Sequence, residues 1–304
     1  MIIAPELRLS ELLDRYVRRK HSDPSTENQL RINVARIGQY LGRPATLADF
    51  DNDSIEDMMY RMKGEGLSPR TCNKFRDNMQ ALWTFAAKNA LIQTWPQIPK
   101  MPEPQRVPFA WTKEDLNALF LATTRLPSHF DVRGVKAQIW WNALLAVCYD
   151  SAERIGAVLE LKWEDLRWHD GYIIARAESR KGGRADKIHK LHPDTLAVLR
   201  SMYRSSEGNI FAWDKAPTHL WAKYKSILKI AGLPQRRDCM FHCIRKTSAS
   251  WFAASGGDAT ALLGHCDRRT TLKYIDPTID QKPAAADVLP RPVPLRIVTE
   301  GETA

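Results

Sequence analysis

Four separated stretches of this chain concentrate the polar residue types that phosphoryl transfer requires: SAERIGAVLELKWEDL from Ser151, SRKGGRADKIHKL from Ser179, FHCIRKTSAS from Phe241 and LLGHCDRRTTLKYIDP from Leu262. Such chemistry needs groups that hold a phosphate, a nucleophile, and a donor that protonates the departing oxygen. Singly, each stretch is a weak signal. An isolated Arg154 would more often pair with Glu153 or Glu160 at a surface, and a tyrosine in TTLKYIDP is more often an ordinary packing residue.

Taken in this order, the stretches resemble the tyrosine recombinase (phage integrase) family, whose catalytic domain carries an Arg, a β-hairpin Lys, a His-x-x-Arg, a Leu-Gly-His and a following Tyr. Here these fall on Arg154, Lys181, His242 with Arg245, His265 and Tyr274. The resemblance implies a site-specific DNA recombinase or integrase in which Tyr274 forms a 3′-phosphotyrosyl bond and releases a 5′ hydroxyl. That hydroxyl later attacks a partner strand's phosphotyrosine. Bond energy is conserved, so no cofactor is implied, neither ATP nor a divalent metal, with arginines taking the metal's electrostatic role.

The physical chemistry of each position agrees with that assignment. The planar forks of Arg154 and Arg245 suit the nonbridging oxygens of a phosphate and the charge that builds there in the transition state. A tyrosine hydroxyl in water loses its proton only near pH ~10, and the resemblance gives His242 the task of accepting it. Lys181 is the donor to the leaving oxygen because a lysine pKa shifts into the working range whereas an arginine's does not. Arg180 is the weaker choice, and Lys187 a substitute. Gly264 permits close backbone approach, leaving His265 to donate to the phosphate in support. One departure is Ala157, where the family often has an acidic residue that orients its neighbours; its absence implies lower activity with the phosphate ligands intact.

These residues need a scaffold, and the periodicity of the chain outlines one. Leu9, Leu12, Leu13, Tyr16 and Val17 share a helical face, as do Leu30, Val34, Ile37 and Leu41, and a third helix covers Ser54 to Lys63. Ser68 before Pro69 starts a fourth, with Cys72, Phe75, Met79, Leu82 and Ala86 inward and Arg70, Asn73 and Lys74 outward, placed to lie along DNA. Between Trp95 and Trp111 five prolines make a linker. Regular structure resumes at a capping box formed by Thr112 and Asp115.

Beyond it, a helix runs from Val135 to Tyr149, and strands near Gly171 to Ala175 and Ile188 to Leu191 flank a basic, Gly-containing loop as a hairpin. Helices follow over Pro193 to Tyr203, Thr218 to Ala231 and Phe241 to Ala254. The fold expected is mainly α with a small β-sheet: a helical core DNA-binding domain over 1–94, linker 95–111, an α+β catalytic domain over 112–281 and an extended tail over 282–304. The tail's one β-prone run, Leu295 to Val298, suits docking on a neighbouring protomer.

Composition sets the outer limits. A net charge of +10 makes a polyanion the natural partner, since each cation set against a phosphate releases counterions. The five cysteines are an odd number in a chain long enough to bury a proper core, which fits a reducing, cytoplasmic setting rather than a disulfide framework. No apolar run suits a membrane span or signal peptide. The resemblance implies double-stranded DNA as partner and a homotetramer on paired sites. Three other readings compete: a zinc module from Cys239, His242, Cys243, His265 and Cys266, a catalytically silent DNA-binding regulator of the same fold, and a topoisomerase of the same chemistry.

Overall fold

The computed structural model describes residues 6–21, 23–180, 182 and 185–279. Its helices and one small sheet fall into two units, Met1–Gln105 and Arg106–Ala304. The tail from 282 onward, including Leu295 to Val298, lies outside the described residues.

The first unit is built from α1 (Leu9–Lys20), α2 (Pro24–Leu41), α3 (Asn52–Gly64) and α4 (Pro69–Lys88). Proline at the first position of α2 and α4, behind Asp23 and Ser68 caps, sets where each helix begins. The α4 stripe of Cys72, Phe75, Met79, Leu82 and Ala86 is buried as its spacing foretells, with Trp83 stacked on Phe50 at 5.5 Å. Arg70 and Lys74 are exposed.

Asn73 corrects the sequence reading: it does not face outward but is only 3% exposed. Its amide donates to Met101 O at 2.8 Å and Glu103 Oε1 at 2.7 Å, and its oxygen accepts from Met101 N at 2.9 Å. The reason lies in the prolines. An extended proline-rich segment packed on a helix has no ladder to pair its backbone, so a side-chain amide does so. Arg76 serves Ile98 O in the same way. Much of the stretch 95–111 is thus bound to one unit or the other, Ile98 in the first core and Trp111 in the second, with Ala110 buried beside it.

In the second unit α5 (Lys113–Thr123) starts at the Thr112–Asp115 capping box, whose two bonds are both 3.1 Å. At its centre α6 (Ala137–Ser151) is apolar nearly all round, as a helix covered on every side must be, and packs on α5, α8 (Pro193–Met202) and α10 (Phe241–Ala254). The sheet has the order β1 (Leu166–Arg167), β2 (Tyr172–Ala175), β3 (Lys187–Lys190), all antiparallel, with Ile173 opposite His189 and Ala175 opposite Lys187. The two-residue β1 was not legible, being too short to show alternation. The remaining helices are α7 (Ile155–Leu159), α9 (Pro217–Ile230), α11 (Ala259–Leu263) and α12 (Arg268–Leu272).

Candidate active site

The site is assembled where α6 ends and α10, α11, α12 and the β2–β3 hairpin converge. Ala152 caps α6 in the left-handed region, at φ 50° and ψ 21°, a turn that leaves Glu153 buried and Arg154 half-buried at the start of α7. Among the described residues the Arg154 side chain has neither a hydrogen bond nor an ion pair, while its carbonyl accepts from Val158 N at 3.0 Å. The pairing with Glu153 or Glu160 that its sequence context allows is not made.

His242 and Arg245 lie one turn apart on α10, at the helical spacing of three. Arg245 is 1% exposed; Nη1 donates to Ala152 O, Nη2 to Leu263 O at 2.9 Å, and Glu153 Oε2 lies 3.8 Å away. Burial and the Arg154 charge pull its pKa below the ordinary value, although Glu153 opposes them. Its Nε is buried with no partner. His242 keeps an open face to solvent, yet the protein crowding its other side, followed by the charges of Lys246, Arg245 and Arg154, pushes its pKa down to about 4. It is therefore neutral at ordinary pH.

The short helix α11 ends on Gly264 at φ +65°, where a Cβ would stand 2.7 Å from Arg180 Nη2. This permits the turn that brings His265 beside the tyrosine. His265 Nδ1 meets Thr271 Oγ1 at 3.1 Å, and Nε2 is buried without a partner. Tyr274, just past α12, sets its ring 5.1 Å from His242 and 5.0 Å from His265, with Arg245 Cζ 5.5 Å from its centroid. Behind it, Asp276 N donates to Ser250 Oγ at 2.9 Å, while Asp276 Oδ2 accepts from Ala110 N at 2.9 Å. The same chain that carries the tyrosine therefore also builds its surroundings.

Lys181 lies outside the described residues. Its neighbours in the hairpin reach the site: Arg180 Nε donates to Glu153 Oε1 at 2.8 Å, and Lys187 Nζ donates to Ala261 O at 2.8 Å and to Leu262 O. Burial pushes the Lys187 pKa down to about 8. The sequence reading missed Glu153. Its side chain is 2% exposed, it also meets His189 Nε2 at 3.2 Å, and His189, Arg180 and Arg245 overcome burial to lower its pKa to about 2. The available signal was an acid set directly between an apolar helix and Arg154.

The cysteines do not gather around this centre. Cys239 and Cys243 are buried in the core and Cys266 is exposed, and among the described residues no group of three or more His, Cys, Asp or Glu side chains is placed to hold a metal ion.

Chemically, the arrangement is a receptor for an anion. Arg245 Nε and His265 Nε2 are buried without partners, a situation that native proteins avoid unless a ligand or water completes them. Arg154 adds a cation whose side chain has no partner among the described residues, and Tyr274 places a hydroxyl-bearing ring against both histidines.

The putative tyrosine recombinase XerC of Pseudomonas aeruginosa is 22% identical over 152 residues, covering 47% of this chain and 35% of that protein, so the chain spans about a third of its length. The Tn1549 transposon integrase, solved in complex with transposon right end DNA, superposes with a TM-score of 0.67 at 14% identity, over 88% of this chain and 94% of that one. A lambda integrase tetramer bound to a Holliday junction gives 0.65 at 19% identity, over 86% and 79%. These two likenesses establish the fold. Residues 112–280 match the Phage integrase family, and the chain belongs to it.

Proposed function

We propose that this protein is a site-specific DNA recombinase that cleaves and rejoins duplex DNA through a 3′-phosphotyrosyl intermediate on Tyr274. The observation that supports it best is the pair of buried nitrogens without partners among the described residues, Arg245 Nε and His265 Nε2, next to the Tyr274 ring. A scissile phosphate satisfies both. Arg154 then adds a second guanidinium to the nonbridging oxygens, and the charge developing on them is met by groups already in position.

Tyr274 Oη attacks the phosphorus while its proton passes to His242, which is neutral and free to take it. The bond to the 5′ oxygen breaks, and Lys181 protonates that oxygen. In the reverse direction a 5′ hydroxyl attacks the phosphotyrosine and expels Tyr274, so the number of phosphodiester bonds is unchanged. The arginines provide the electrostatic stabilisation, and the reaction runs without metal, ATP or other cofactor.

The lambda integrase assembly on a Holliday junction supports a homotetramer on paired sites, and the DNA complex of the Tn1549 integrase supports duplex DNA as partner. The helical first unit serves as the core DNA-binding domain, with Arg70 and Lys74 against the phosphates. Among the described residues no helix is long and apolar enough to cross a membrane. The working place proposed is the cytoplasm, on the nucleoid when bound.

The test is a nicked suicide substrate, made from sequence flanking the gene and verified for binding, incubated with the protein in EDTA and run on a denaturing gel. A covalent protein–DNA band that disappears in Tyr274→Phe is expected. Binding without an adduct would leave a silent DNA-binding regulator as the better reading.

A further inference from the structure

We propose that Glu153 is a positioning residue for this reaction, its carboxylate holding the hairpin arm and the Leu-Gly-His turn in their working places from the residue immediately before Arg154. This inference rests on the recombinase reading.

The geometry is that of a hub. Glu153 receives Arg180 Nε at 2.8 Å, His189 Nε2 at 3.2 Å and, at 3.8 Å, Arg245 Nη1. These three groups come from the hairpin connection, from β3 and from α10. A carboxylate 2% exposed is retained only with strong partners, and here the partners are themselves site residues or their neighbours.

Two of these cations, and Lys187 two residues before His189 on β3, reach the end of α11. Arg245 Nη2 donates to Leu263 O, Lys187 Nζ to Ala261 O and Leu262 O, and Arg180 Nη2 covers Gly264. The Leu263 carbonyl is thus tied to a group that Glu153 gathers, and the Ala261 and Leu262 carbonyls to the strand that carries His189. Helix C-terminal carbonyls carry partial negative charge and favour such donors, but the donors repel one another. Glu153 is the one carboxylate among them that Arg180, His189 and Arg245 all meet, and its charge allows them to sit together.

This explains how the chain manages with alanine at 157. Ala157 is 3% exposed and offers no group to its neighbours, while the acid four residues earlier does the orienting. Arg180 directly precedes Lys181 in the sequence, so Glu153 anchors the residue next to the proposed proton donor.

The experiment uses the full chain on a verified site and compares wild type, Glu153→Gln and Glu153→Asp in single-turnover adduct formation. Two substrates are used, one with the normal 5′ bridging oxygen and one with sulfur there, a leaving group that needs no proton. The expected result is a ten- to hundredfold slower Glu153→Gln reaction on oxygen, with DNA affinity retained and the sulfur-to-oxygen rate ratio at least tenfold above wild type. Glu153→Asp, which keeps the charge, falls between the two and carries the comparison should Glu153→Gln fail to fold.

Wild-type rates in both variants, or an equal loss on both substrates, would overturn the assignment. Absence of any adduct with bound wild-type protein would instead remove the recombinase reading, and this inference with it.

Discussion

The Tyr274 ring meets His242 edge-on, centroids 5.1 Å apart and planes at 64°. His242 is a base whose pKa in the folded chain lies below its ordinary 6.5, at about 4, so it stays unprotonated until the pH falls well under that ordinary value. Adduct formation at subsaturating DNA, which reports the free enzyme, is expected to hold from pH 7 downward and to fail only well below 6.5. A limb at 6.5 that disappears in His242→Gln would mean that burial and the cleft cations do not act on this imidazole.

Arg154 and Arg245 are expected to separate when mutated. Arg154 has no partner among the described residues, so Arg154→Ala should slow cleavage on the order of a hundredfold, about 3 kcal/mol of barrier, with the melting temperature unchanged. Arg245 is buried and bonded to Ala152 and Leu263. Arg245→Ala should slow cleavage as much and also destabilise the fold by roughly 3 kcal/mol, because Glu153 loses a partner. Thermal melts beside single-turnover rates decide it.

Lys181 and Lys187 have different expected roles. A 5′ bridging sulfur should restore Lys181→Ala to within about tenfold of wild type, the mark of a missing proton donor. Lys187 holds the carbonyls of Ala261 and Leu262, so Lys187→Ala should be slow on both substrates. Full rescue of Lys187→Ala would transfer the donor role to it.

Most of the architecture was legible because it obeys simple periodicities, as the α4 stripe and the Thr112 capping box illustrate. The failures share a cause: polar residues whose partners are distant in sequence. Asn73 reads as outward because amides usually are, and only the packed segment around Met101 turns it in. In β3 the apolar Ile188 is 63% exposed while His189 is buried, the reverse of hydrophobic alternation, because Glu153 waits on the inner face. Glu153 itself reads in the sequence as no more than a local partner for Arg154, whereas its contacts lie 27 and more residues away.

Acid should loosen this hub. Glu153 is a carboxylate with its folded pKa lowered from 4.5 to about 2, so its contribution is complete above 4.5 and lost as the pH falls toward 2. The shift corresponds to roughly 3 kcal/mol. Burial also lowers the His189 pKa, so acidification below its ordinary range acts against the fold in the same direction. Urea midpoints for wild type and Glu153→Gln should therefore be well apart at pH 7 and converge below pH 4.5; a constant gap would contradict the assignment.

On the first unit, Arg70→Ala and Lys74→Ala should each weaken DNA binding and reduce the salt dependence by about one counterion, without altering stability. Asn73→Ala should do the opposite, destabilising by about 2 kcal/mol through the backbone groups it leaves unpaired while the salt slope stays constant. Affinities measured across a salt series, with parallel melts, distinguish the two.

The hydrogen bond from Ala110 to Asp276 bears on how the protein is to be dissected. The family match begins at residue 112, a natural place to cut an isolated fragment. Such a cut removes Ala110 N from Asp276, Trp111 N from Thr247 Oγ1, 2.8 Å away, and Trp111 O from the Trp251 indole, 3.1 Å away. It also deletes the Trp111 ring, 1% exposed, from the core. A fragment started there loses the support behind Tyr274, the proposed nucleophile, whereas one begun at Arg106 keeps it, and inactivity of the shorter piece would say nothing about the missing first unit.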